Sequence, residues 1–259
     1  MNAPVTATPA ATAAPRPRNL VGLAILIVWL ALGAVLVASP SGPVAFGFVM
    51  VGWILAVMAH EFSHALIAYI GGDHTVVDKG YLSFDPRRYG DLGTSLVIPL
   101  LALALGGIGF PGGAVYLRPD LIRNRFWRAA SSLAGPGATL LVLLVLAAGL
   151  AVYGRVDPFS PLYAALTVLA FLQATALILN LLPIPGLDGF NAIRHFLPRR
   201  LDPLIPKAEG LAMVLLLAAI FLIPGAARGL FGAAAQLSFA LGLSPQALAD
   251  GWTLFRFWG

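Results

Sequence analysis

The 259-residue chain contains no cysteine, which excludes disulfides and thiolate metal ligands. It is also poor in charge, with 10% Asp, Glu, Lys and Arg against about 25% in soluble domains. A chain that is 59% hydrophobic, with a mean hydropathy of +0.88, cannot cover its surface in water. Apolar windows of about 20 residues recur from end to end, the pattern of an integral membrane protein. The net charge of +5 then reads as basic loops that set topology, so no nucleic-acid partner is expected.

Residues 1–18, rich in Ala, Pro and Thr, read as a disordered tail. Residues 20–38 are long enough to span, so they read as an uncleaved first helix and not a signal peptide. Further spans are expected at 43–70, 127–153, 161–182 and 208–223, and a Pro/Gly-broken segment at 93–109. The polar stretch 73–92 offers "TVV" and "YLSF" as short strands of a small β-hairpin. Residues 226–259 read as an interfacial segment after a membrane domain of 19–225, whose core is 45–200. The expected fold is thus an all-α polytopic membrane protein of five to six transmembrane helices, with a re-entrant segment and a hairpin.

Charge tests the topology. With the N-terminus inside and 93–109 re-entrant, thirteen of the sixteen Lys and Arg fall on the cytoplasmic side, leaving Arg155, Arg228 and Arg256 outside. A full crossing at 93–109 would move four arginines of the 118–128 loop outside.

The first charged residue after Arg18 is Glu61, within His60-Glu61-Phe62-Ser63-His64. Ionisable groups in a bilayer are costly and mark functional sites by default. H-E-x-x-H on a helix puts both imidazoles on one face, able to reach one Zn²⁺, with the Glu beside them as general base. A catalytic zinc needs a third protein ligand and an open fourth position. The third His of soluble metalloproteases is absent, since Ile70 occupies its place. Asp85 and Asp188 compete for the role. His60 lies about 24 Å along a helix that starts outside near residue 44, at 1.5 Å per residue. The 161–182 helix also runs inwards, which brings Asp188 to that depth and favours it over Asp85.

These residues, with Asn180-Leu181-Leu182-Pro183, Leu187-Asp188-Gly189 and the Gly-Pro element in "LAGPGAT" (133–139), resemble the site-2 protease family of intramembrane zinc metalloproteases. The resemblance covers roughly residues 45–200. It implies that His60, His64 and Asp188 bind one Zn²⁺, that Glu61 activates water, and that Asn180 lies near bound substrate. It also implies a transmembrane protein substrate within the lipid bilayer, a bacterial inner-membrane location with the site towards the cytoplasm, and a minimal form without PDZ or regulatory domain. Two positions depart from the family pattern. Thr139 stands where Asn is common, and Gly186 replaces the second Pro of P-P-L-D-G. Both are expected to lie away from the ligands and the base. His74 and His195 read as solvated surface groups, and "TVVDKGYLSF" as an edge strand that holds substrate extended.

Two other function classes compete with the peptidase. A non-catalytic zinc scaffold would have no use for Glu61 as a base. A transporter with an intramembrane relay would be expected to carry paired repeats, and none is visible.

Overall fold

The computed structural model describes residues 20–89 and 115–258. The proposed re-entrant segment at 93–109 lies outside the described residues. Nine α-helices occur among those described: α1 (Leu20–Ala38), α2 (Gly42–Gly71), α3 (Thr75–Asp78), α4 (Arg125–Tyr153), α5 (Pro161–Leu181), α6 (Asp188–Arg194), α7 (Ile205–Leu222), α8 (Pro224–Ala240) and α9 (Pro245–Phe255). Among the described residues there is no strand, and five helices (α1, α2, α4, α5 and α7) are long and apolar enough to cross a membrane. The protein is an all-helical, multi-pass membrane protein.

Helix boundaries follow from local chemistry. Asn124 accepts hydrogen bonds from the Phe126 and Trp127 backbone N–H groups at 3.0 and 3.1 Å, starting α4. Ser160 accepts from Tyr163 N–H at 3.1 Å, and Pro161 sits where no N–H is needed. α2 ends at Gly72, whose φ of +120° turns the chain.

α5 is the central element. Of its most apolar 18-residue window 83% is buried inside the protein, against 11–39% for the other four spans. α2 and α4 flank it, and α8 and α9 close a further side. Leu23, Ile27 and Leu30 of α1 and Leu211, Val214 and Leu215 of α7 face outwards. Such faces suit lipid, which solvates them as well as a protein core would.

The expected hairpin is not formed. Asp73, fully buried, accepts from the Thr75 backbone N–H at 3.1 Å and the Thr75 hydroxyl at 2.6 Å. This cap starts a helical turn, overriding the β propensity of "TVV". Gly80 at φ +73° then turns the chain, and residues 81–84 run through turns and bends. Residues 115–118 are irregular, with Leu117 N–H donating to the Val115 carbonyl at 2.9 Å, and they are tied down by Arg118 N–H donating to Asp73 at 2.8 Å and by Lys79 Nζ donating to the Tyr116 carbonyl.

Asp73 therefore joins two loops through one carboxylate. Asp73→Ala should destabilise the protein by about 1–3 kcal/mol, because it removes one acceptor shared by three donors on Thr75 and Arg118. Unfolding in detergent measures this, and unchanged stability would refute the tie.

Candidate metal centre

α2, α4 and α6 build the centre together. His60 and His64, one turn apart on α2, turn their Nε2 atoms towards each other at 3.0 Å. α5 stops at Leu181, and Pro183-Ile184-Pro185-Gly186 carry the chain around to α6, whose first residue is Asp188. Gly189 makes this return tight, since a Cβ there would stand 2.6 Å from the Leu181 carbonyl carbon. Asp188 Oδ2 consequently lies 3.1 Å from His60 Nε2 and 3.5 Å from His64 Nε2.

The resulting triangle has edges of 3.0, 3.1 and 3.5 Å. Donor atoms 2.0–2.1 Å from a tetrahedral zinc lie about 3.3 Å from one another. The three groups therefore fit one Zn²⁺ with a fourth position left over. The imidazoles are oriented for it. His60 Nδ1 is hydrogen-bonded to Thr139 Oγ1 at 2.9 Å, and His64 Nδ1–H donates to the Ser131 carbonyl at 2.6 Å. With Nδ1 carrying the proton, each Nε2 presents a lone pair to the metal position.

Gly135, on α4, faces the same point. A Cβ there would lie 2.5 Å from His60 Nε2 and in contact with His64 Nε2. The space that glycine leaves is thus the space that the metal needs. Thr139 does not lie away from the ligands as expected; its hydroxyl holds the orientation of His60. Neither Gly135 nor the Ser131 carbonyl was singled out from sequence. The glycine belonged to a noticed Gly-Pro element, whereas a backbone acceptor leaves no residue-type signal.

Glu61 is buried, has its carboxylate within 4.8 Å of the nearest imidazole donor atoms, and accepts a hydrogen bond from the Val115 N–H at 3.2 Å. Asn180, on the last turn of α5, lines the same cavity of about 500 Å³. Asp85 is elsewhere. It accepts from Arg87 Nε at 2.9 Å and Nη2 at 2.8 Å, and these bonds hold its carboxyl below the usual carboxylate range. His74 is exposed, as read from sequence. His195 is not simply a surface group. It is half-buried at the cavity rim, where burial, then Arg194 and Arg128, push its pKa down to about 4 and keep the ring neutral near pH 7.

Five apolar helices and this centre define a membrane metalloprotein of the H-E-x-x-H class. Comparison with curated proteins makes that narrower. The chain is 42% identical over 234 residues to "Putative zinc metalloprotease Rip2" of Mycobacterium tuberculosis, covering 90% of this chain and 88% of that one. Identity to the protein of the same name in Mycolicibacterium smegmatis is 39% over the same shares of each chain. Identity to "Putative zinc metalloprotease YwhC" of Bacillus subtilis is 28% over 68% of this chain and 81% of that one. The chain belongs to the site-2 protease family of zinc metalloproteases. No family model matches it, and no solved structure matches it.

Replacing His60, His64 or Asp188 with Ala should sharply lower zinc content, and Asp85→Ala should not. Gly135→Ala should exclude the metal sterically, while Thr139→Val should weaken it by about 10–100-fold through the lost orientation of His60. Zinc quantification on detergent-purified protein checks each. Full occupancy in Asp188→Ala, or loss in Asp85→Ala, would overturn the ligand assignment.

Proposed function

We propose that the protein is an intramembrane zinc metalloendopeptidase that hydrolyses peptide bonds in or near transmembrane segments of membrane proteins. The observation carrying this reading is the triangle of His60, His64 and Asp188 at tetrahedral zinc spacing, with the buried carboxylate of Glu61 beside it. A structural zinc site is closed by four protein ligands. On this reading His60, His64 and Asp188 make three, and the Glu61 carboxylate beside them is kept off the metal to serve as base.

Zn²⁺ held by these three groups would supply Lewis acidity to a peptide carbonyl and to water. Glu61 accepts a proton from the attacking water and passes it to the departing amide nitrogen, so the proton balance closes within the site. The Val115 N–H that donates to Glu61 steers the carboxylate without neutralising it. The substrate enters locally unwound, because a helix hides its carbonyls in its own hydrogen bonds. Asn180, at the edge of the cavity, offers an amide to that unwound chain.

On this reading the N-terminus and residues 73–92, 118–128 and 190–207 lie on the cytoplasmic side of a bacterial inner membrane, and the excess of Lys and Arg in these segments supports that orientation. The chain lacks cysteine, so single-cysteine labelling reads topology directly. Arg123→Cys should react only once the inner face is opened. Labelling of Arg123→Cys from outside intact cells would invert this part of the orientation.

Glu61→Gln keeps the shape of the side chain but cannot take the proton. Cleavage of a co-expressed single-span substrate should fall by about 10²–10⁴-fold, with zinc content near one per chain. Equal cleavage by wild type and variant would remove Glu61 from the chemistry. Wild-type inactivity over a broad substrate panel, with zinc bound, would favour a zinc-holding scaffold.

A further inference from the structure

The cavity of the metal centre adjoins a second cavity of about 580 Å³, and Pro119, Arg128, Arg194 and His195 line both. Arg125 and Asp202 also line the second. Its wall therefore holds three guanidinium groups against one carboxylate. These residues come from the start of α4 and the loop before it, and from the end of α6 and the loop after it. All of them fall in the segments 118–128 and 190–207, both read above as cytoplasmic.

Little on the protein answers this charge. Arg125 and Arg128 form no ion pair among the described residues. The hydrogen bond that Arg128 makes there is a long one, from Nη2 to the Ile122 carbonyl at 3.4 Å. Asp120, in the preceding loop, is taken by Arg118 at 2.7 Å. Arg194 donates through Nη1 to Glu209 at 2.9 Å and to Asn191 at 3.2 Å, which engages one of its three nitrogens. Its side chain stays 33% exposed. Burial lowers the pKa of His195 first, and Arg194 and Arg128 lower it further, so both charges act on one neutral ring.

Topology alone does not explain this placement. Arginines that hold a loop in the cytoplasm serve equally well on its solvated side. Here two of them are half-buried on the wall of the metal-centre cavity. Arg128 lies less than one turn before Ser131, whose carbonyl binds His64. Arg194 follows Asp188 by six residues, about 9 Å along α6. A substrate cleaved at the metal leaves towards the aqueous loops past these groups. An extended chain advances about 3.3 Å per residue, so residues roughly three to five positions from the cleaved bond pass the arginines.

Most transmembrane segments carry Lys or Arg on the cytoplasmic flank. Guanidinium groups at the rim repel such a flank and bind a carboxylate, which Arg grips with two parallel hydrogen bonds. We propose that Arg128 and Arg194, with Arg125 beyond them, select substrates bearing Asp or Glu about three to five residues from the cleaved bond on its cytoplasmic side. Substrates bearing Lys or Arg at those positions are rejected. This rests on the peptidase reading and the orientation above. It makes charge a condition for cleavage beside helix unwinding, and it spares membrane proteins with an ordinary basic flank.

The test uses full-length, zinc-loaded protein in detergent and single-span peptides with a central Gly-Pro. The peptides differ only in carrying Asp, Gln or Lys at one position, moved along either flank. At the favoured positions, and on one flank only, wild type should cleave the Asp peptide about 10–30-fold more efficiently than the Lys peptide. The difference should lie in KM, because the charge is remote from the reacting atoms and meets the same partners before and during the reaction. Arg128→Gln and Arg194→Gln should each shrink the Asp-to-Lys ratio by about 3–10-fold, and Arg128→Glu should turn the preference towards Lys. A ratio taken within each variant cancels any general loss from altered packing, and zinc content reports whether the centre is intact. In the non-cleaving Glu61→Gln background, peptide Kd should follow the same order of charge. Equal cleavage of Asp and Lys peptides by wild type would overturn the proposal, as would a ratio that none of the three arginine variants alters, or one that is the same on both flanks. Bilayer discs of phosphatidylcholine with and without phosphatidylglycerol separate a lipid occupant. Activity that rises with phosphatidylglycerol through Arg128 and Arg194, without any Asp-to-Lys preference, assigns the rim to a lipid phosphate and overturns substrate selection. If wild type cleaves and Glu61→Gln does not, those results refute the selection alone. No cleavage of any peptide by zinc-loaded wild type refutes the peptidase reading, and the selection with it.

Discussion

The site depends on where two imidazole protons are held. His60 and His64 can present Nε2 to a common point because Thr139 and the Ser131 carbonyl, both on α4, accept the protons on Nδ1. That requires α4 to pass close to α2 at the level of the motif. A side chain larger than hydrogen at Gly135 would fill the point where the lone pairs converge. The third corner comes from the other side, where the chain breaks after α5 and returns with Asp188 as the first residue of α6. A shift of any one helix by about an ångström would open the triangle, so the packing of α2, α4 and the α5–α6 turn is part of the chemistry.

The bilayer explains how the remaining polar groups are treated. Within the apolar core, Thr167 and Thr175 close onto their own helix, the tolerable state for a hydroxyl away from water. Near the aqueous face the polar groups join separate loops instead. Asp73 binds the start of α3 to the irregular stretch at Arg118, and that stretch brings the Val115 N–H to Glu61. A carboxylate in a loop thus helps to place the Glu61 side chain.

The family relationship and the geometry bear on different questions. Relatives at 39–42% identity over 90% of the chain establish the family. The arrangement of donors within a few ångströms is what addresses the chemistry. Thr139 illustrates the difference. Compared with the family pattern it is a departure, whereas in the structure it supplies the acceptor for His60.

Much of the helical framework was legible in the residues alone. Spans expected at 43–70, 127–153 and 161–182 correspond to Gly42–Gly71, Arg125–Tyr153 and Pro161–Leu181. Lipid rewards an unbroken apolar run wherever it occurs, so hydropathy along the chain is enough to find one. The H-E-x-x-H pair was equally legible, because i and i+4 share a face on any α-helix. "TVV" failed as a strand because its propensity was opposed by one side chain, Asp73, which accepts from the Thr75 backbone N–H and hydroxyl at the start of α3. Helix depth already favoured Asp188 over Asp85; what tertiary structure alone decided was how closely Asp188 approaches the imidazoles, and that the Ser131 carbonyl, Thr139 and Gly135 stand around them. The physical reason is that these contacts join α2 to residues about 70 to 130 positions away. Local periodicity orients a side chain about its own helix, but the distance to another helix is set by how both pack against α5.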